Sequence, residues 1–187
     1  MYQTLAFSSQ NLRSLGKTAS AVVLGITLIT ICAKLRVPTW PVPMTLHTLG
    51  VMALALAMGP RLATVTFFAY LATGAAGLPV FSGSPERGTG LLYMAGPTGG
   101  YLLGYLAASW ITGWMALGRR TAGRILAMLA GLSVTYAVGL PWLLMYLPVD
   151  QVIPLGFTPF FLGDLINIAI VALGAHFVPA RMRNIVS

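Results

Sequence analysis

PFFLGDLINIAIVALGAHF, residues 159–177, is an apolar stretch of helix length interrupted by one acid, Asp164. Pro159 stands where a first helical residue would, a position that favours proline because its missing N–H costs nothing there. The stretch reads as a membrane helix. A charged Asp at the centre of such a helix costs roughly 2.5–3.5 kcal/mol on the insertion scale, and less toward the interface. With the helix starting at Pro159, Asp164 lies about 7.5 Å deeper, at roughly 1.5 Å per residue. An acid kept at that depth marks a functional site by default; the competing role is a structural partner for an arginine or for backbone amides. Asn167 follows at i+3 and shares its face, so that Phe160, Phe161, Asp164 and Asn167 form one stripe. Aromatic rings leading into an acid and an amide suit a pocket wall for a ring that carries polar groups. An aromatic stripe alone also serves interhelical packing.

Outward from this stretch lie five more apolar runs: Thr18–Ala33, Met44–Met58, Leu62–Ala76, Pro97–Leu117 and Ile125–Tyr146. The expectation is an all-α integral membrane protein with six transmembrane helices in one membrane domain, residues 1–187, of which 1–17 form a cytoplasmic N-terminal segment. The two short early runs fit tilted helices or a re-entrant pair. The first run is a helix rather than a cleaved signal, because Lys34, Leu35 and Arg36 stand where a small-residue cleavage site would be. Composition agrees: 57% of the 187 residues are hydrophobic and 7% charged, against a usual charged share of about 25%. So few charges cannot cover a water-facing surface of this size, which excludes disorder and argues against a soluble enzyme or nucleic-acid-binding domain. The net charge of +8 comes from basic residues between apolar runs, not from one solvated face.

Those basic residues orient the chain. With both termini cytoplasmic, the inner side carries Arg13, Lys17, Arg61, Arg119, Arg120, Arg124, Arg181 and Arg183, and the outer side only Lys34, Arg36 and Arg87. This obeys the positive-inside rule. Glu86, Asp150 and Asp164 then fall on the outer half. The longest connection, GLPVFSGSPERGTGLLYMAG at 77–96, is also outer and reads as a loop or lid over a binding site. Phe81, Tyr93 and Met94 within it disfavour plain disorder. Arg87 and Glu86 are a solvated pair or a ligand contact, with the two roles about equally weighted. Beyond it, Gly96, Gly99 and Gly100 bracket Pro97 and Thr98 at a helix start, leaving backbone amides open to a small anion.

Other residues carry less. His47 could contact a ligand or satisfy another helix, and with no second His or acid at ligand spacing no metal site is expected. His176 reads as interfacial. Ala21 and Gly25 have the small-xxx-small spacing that lets another helix approach. Cys32 is the single cysteine, so there is no disulfide framework and no thiolate zinc site. There is no P-loop, no H-E-x-x-H, no G-x-S-x-G and no second intramembrane acid, so no catalytic residue is assigned. Energy for moving a solute against a gradient would have to come from elsewhere.

PVPMTLHTLGVM (41–52), MGPRLA (58–63), GLPVFSG (77–83), GPTGGYLLGYL (96–106) and LGDLIN (162–167) occur in this order. Together they resemble the BioY family, the biotin-binding substrate-capture (S) components of energy-coupling factor (ECF) transporters, over residues 37–177. The resemblance implies a six-helix S-component bundle in a prokaryotic cytoplasmic membrane and high-affinity capture of biotin. It also implies a partner membrane coupling (T) component and a pair of ABC ATPases, the only users of ATP, with no cofactor on this chain. Its partners are thus biotin, those subunits and membrane lipid, with no nucleic acid. By position, Asp164 matches the acid that accepts hydrogen bonds from the biotin ureido N–H groups. Asn167 stands where Lys is expected and can still donate to the ureido carbonyl. His47 stands where Gln is more usual. Tyr101 offers a ring face and a hydroxyl. Ser82, Gly83 and Ser84 fall near the valerate tail, with Arg87 the candidate for its carboxylate. Phe81, Thr98, Gly99, Gly100, Phe160 and Phe161 complete the expected substrate-binding set, and Ala21 and Gly25 the face docked on the partner subunit. Three alternatives remain: an S component for riboflavin or thiamine, a non-binding membrane scaffold, and a small intramembrane enzyme, which a lone acid supports poorly.

Overall fold

In a bilayer, backbone polar groups find no water and must pair within the chain, which apolar segments achieve as helix. The computed structural model describes residues 2–37, 44–86 and 88–177. The helices are α1 (Tyr2–Lys34), α2 (His47–Ala75), α3 (Gly90–Met94), α4 (Gly99–Met115), α5 (Thr121–Leu143), α6 (Val149–Gly156) and α7 (Thr158–Phe177). A two-residue antiparallel ladder between α1 and α2, β1 (Arg36–Val37) with β2 (Met44–Thr45), is the one addition to the helical expectation among the described residues. It moves the start of α2 from the expected Met44 to His47. By length and composition, four helical stretches among the described residues can cross a membrane: Leu15–Lys34, His47–Ala75, Thr121–Leu143 and Val149–Gly174, which runs through α6 and α7.

One of those four reverses on itself. On a straight helix His47 and Tyr70 would lie roughly 35 Å apart. Their rings are 5.7 Å apart, and Thr66 Oγ1 donates to Met58 Sδ at 3.6 Å. The reversal sits at Gly59, with φ 72° and ψ 178°, followed by Pro60. Glycine takes that φ without a Cβ clash, and proline is suited to opening the next helical segment. The halves of α2 on either side of Gly59 therefore correspond to the two short apolar runs of the sequence.

The remaining helices gather around this hairpin. Helix α2 packs against α1, α4 and α7, α4 lies along α5, and α7 also meets α5. The α4–α5 approach is close enough for backbones to touch: a Cβ on Gly104 would come within 2.8 Å of the Thr135 Cα and carbonyl oxygen. Small residues at a membrane helix crossing give this close packing. One apolar cluster joins Phe67 and Tyr70 of α2 to Phe81 and Tyr93 of the 77–96 connection. A second, including Met52, Met128, Leu132 and Ile168, joins α2, α5 and α7. Thr48, Thr135, Asp164 and Asn167 are buried inside, whereas Val23, Leu24, Val65, Phe68, Leu162 and Leu173 face outward. That is the polarity expected of a bundle in lipid.

Over Leu15–Lys34, helix α1 is the most exposed of the four membrane-length stretches. Gly25, expected on a partner-docking face, is instead buried in the α1–α2 contact, where a Cβ would meet Thr66 Cγ2 at 2.5 Å. Its small size serves packing inside this chain. Ala21 is half-buried, and the open face of α1 is formed by Val23, Leu24, Leu28 and Ile31.

Candidate binding site

Asp164 lies one and a half turns into α7 and is buried, with 8% of its surface exposed. Its Oδ1 accepts from Thr48 Oγ1 at 2.6 Å and its Oδ2 from the Tyr136 hydroxyl at 2.5 Å. Thr48 has a single O–H, already given to Asp164, so the 2.7 Å contact between Thr48 Oγ1 and the Tyr105 hydroxyl is donated by Tyr105. Three helices thus meet at one carboxylate, α2 through Thr48, α5 through Tyr136 and α7 itself, and α4 joins them through Tyr105 on Thr48. A carboxylate has about four acceptor positions. Two are occupied, leaving acceptor capacity on both oxygens for a ligand bearing paired N–H or O–H donors.

Aromatic rings flank this centre. The Tyr136 ring meets Phe157 edge-on at 4.8 Å, and Phe157 stacks on Phe161 at 4.8 Å. Tyr101 meets Tyr136 edge-on at 6.3 Å and donates its hydroxyl to the Gly156 carbonyl at 2.9 Å, tying α4 to the end of α6. Phe160 is half-buried on the same helix as Asp164. Asn167 is buried, and its Nδ2 reaches the Thr45 carbonyl at 3.5 Å. That is a long contact, so the amide is weakly held. His47 is buried among Phe67, Tyr70 and Tyr105, its ring 4.8 Å from that of Tyr105. Its Nε2 has no hydrogen-bond partner among the described residues.

The segment Val80–Ser84 is pinned down. Phe81 is fully buried, stacked on Tyr93 at 4.9 Å, edge-on to Tyr70 at 5.5 Å, and seated where a Cβ on Gly74 would be. Its ring is therefore an anchor for the segment. Tyr70 donates to the Val80 carbonyl at 3.1 Å, Tyr93 to the Ser82 carbonyl, and Ser84 Oγ to the Phe81 carbonyl at 2.7 Å. Lys34 at the end of α1 donates to both the carbonyl and the hydroxyl of Ser84. Ser82 is half-buried, Gly83 buried and Glu86 exposed. Arg87 lies outside the described residues, as does the side chain of His176.

The glycines around Pro97 need a correction. The Gly99 N–H donates to the Gly96 carbonyl at 3.0 Å, and a Cβ on Gly99 would meet the Met94 carbonyl oxygen at 1.9 Å. On Gly100 it would meet Trp142 Cβ at 2.2 Å, while Trp142 Nε1 itself donates to the Gly96 carbonyl at 3.1 Å. These glycines admit Trp142 and the preceding turn; they do not form an open anion cradle. Thr98 is exposed and makes no side-chain cap.

Thr48, Tyr105 and Tyr136 were missed from sequence. Thr48 sits in the quoted PVPMTLHTLGVM stretch, and Tyr105 follows Tyr101 by one helical turn, which is the signal that could have found them. Tyr136 had no signal beyond being a hydroxyl in an apolar run.

A family model described as the BioY family matches residues 6–184. Among curated relatives, a probable biotin transporter BioY of Pyrococcus horikoshii is 35% identical over 153 residues, covering 82% of this chain and 90% of that one. The biotin transporter BioY of Thermotoga maritima is 36% identical over 148 residues, covering 78% and 86%. The solved S-component for biotin from an ECF-type ABC transporter matches the fold with a TM-score of 0.71 at 23% identity, over 94% of this chain and 97% of that one.

Proposed function

The chain belongs to the BioY family, and from that premise we propose that it captures biotin for uptake as the substrate-specific S component of an ECF-type transporter. It is not an enzyme. The observation that carries the site assignment is the buried Asp164 carboxylate, held by two hydroxyls and retaining acceptor capacity on both oxygens. The ureido ring of biotin presents two N–H donors to it, a match of donor pair to acceptor. Asn167 donates to the ureido carbonyl, and Tyr101, Phe157 and Phe161 pack against the fused rings. The pinned segment around Ser82–Ser84 covers the valerate tail, with Arg87 the candidate for its carboxylate.

Six spans with both termini cytoplasmic, in a prokaryotic cytoplasmic membrane, complete the proposal. The reversal at Gly59, which makes two antiparallel segments of α2, supports that count. A T component and two ABC ATPases supply the energy, and no cofactor is needed on this chain. Calorimetry on detergent-purified protein from biotin-starved cells tests the proposal, with riboflavin and thiamine as controls. One-to-one binding of biotin alone is expected. Binding of a control vitamin in place of biotin, or of none by folded protein, would overturn it.

A further inference from the structure

The last torsion of an aspartate is broad and roughly two-fold, so its own rotamer does not fix the plane of its carboxylate. Something else must set that plane at Asp164 if two ligand donors are to meet two oxygens. The hydroxyls of Thr48 and Tyr136 reach different oxygens from different helices, at 2.6 and 2.5 Å. Two such anchors fix the rotation that one would leave free. Thr48 is held in turn, because its Oγ1 accepts from the Tyr105 hydroxyl at 2.7 Å. Tyr105 is braced by the buried His47 ring at 4.8 Å.

We infer that Thr48 and Tyr136 are positioning residues for ligand capture: they lock the carboxylate plane of Asp164 so that its remaining lone pairs face the ligand's paired N–H donors, with Tyr105 fixing Thr48. The inference rests on the biotin reading above. It assigns specificity to groups that need not touch the ligand, and it gives His47 a role through Tyr105.

The test measures Kd for biotin and for biotin methylated on one ureido nitrogen. Wild type, Thr48→Val, Thr48→Ser and Tyr136→Phe are compared by calorimetry in detergent, each with its Tm. A hydrogen bond to a charged group sets the scale, so Thr48→Val and Tyr136→Phe are expected to weaken biotin binding about ten-fold or more. Thr48→Ser, which restores the hydroxyl, is expected to recover most of the affinity. The penalty for methylation should shrink in the Val and Phe variants, because a carboxylate free to turn no longer discriminates against a blocked donor. An equal methylation penalty in every protein, or a Ser variant as weak as the Val variant, would overturn the inference. If Thr48→Val does not fold, Tyr136→Phe, which removes one oxygen and no core volume, carries the same comparison. Failure of folded wild type to bind biotin would overturn the transport reading, and this inference with it.

Discussion

The Asp164 centre is held by hydroxyl donors and the segment Val80–Ser84 by hydroxyl donors and the Lys34 amine, but the acceptors differ in kind. At Asp164, the donors Thr48 and Tyr136 reach another side chain, so each partner's identity matters. In the outer segment, Tyr70, Tyr93, Ser84 and Lys34 reach the main-chain carbonyls of Val80, Ser82, Phe81 and Ser84. A carbonyl is present whatever the residue. The segment can thus vary in sequence while keeping its path, provided Phe81 and the Ser84 hydroxyl, which donates to Phe81 and accepts from Lys34, stay. The centre tolerates little change.

Substitutions sharpen this contrast. Asp164→Ala should weaken biotin binding by about 100-fold or more, the loss of two hydrogen bonds to a charged group, while the protein stays folded by its thermal transition in detergent. Binding as tight as wild type would remove Asp164 from the site. Phe81→Ala empties the space on Gly74; truncations of buried aromatics cost about 3–5 kcal/mol. A lower Tm, faster amide exchange across 77–96 and faster biotin release are expected, and unchanged exchange would show that the ring is not the anchor. Lys34→Met removes one charged donor from an exposed position, so biotin release should quicken only about two- to three-fold, as stopped-flow would measure. Asn167→Lys is the mildest. The amide is weakly held at 3.5 Å, so a charged donor there should tighten biotin by about three-fold or less. Complete loss would mean that the amide makes a contact a lysine cannot replace.

The apolar runs, with their gap between Met58 and Leu62, and Asp164 were legible in the sequence because each carries a large cost outside its proper setting. An acid in a membrane helix needs partners. The hydroxyls around Asp164 were not legible, for a definite reason. Serine and threonine in a helix can satisfy themselves on the preceding turn. Thr27, Thr30, Thr64, Thr73, Ser109, Ser133 and Thr135 do so here, each bonding the carbonyl four residues back. Thr48, the second residue of α2, has no helical turn before it to bond, and α7 brings Asp164 beside it instead. The glycines at 99 and 100 misled in the opposite direction. A glycine that admits a ligand and one that admits a tryptophan leave the same letter.

The hydroxyl clasp also constrains how the protein is made. Thr48 lies 116 residues before Asp164, and Tyr136 lies 28 before it. Synthesis runs from the N-terminus, so both donors leave the ribosome ahead of the acid they serve. In the folded chain these hydroxyls offset the cost of a carboxylate in hydrocarbon. The clasp therefore closes only once α7 lies beside α2 and α5. A nascent chain halted before α7 has every donor and no acceptor.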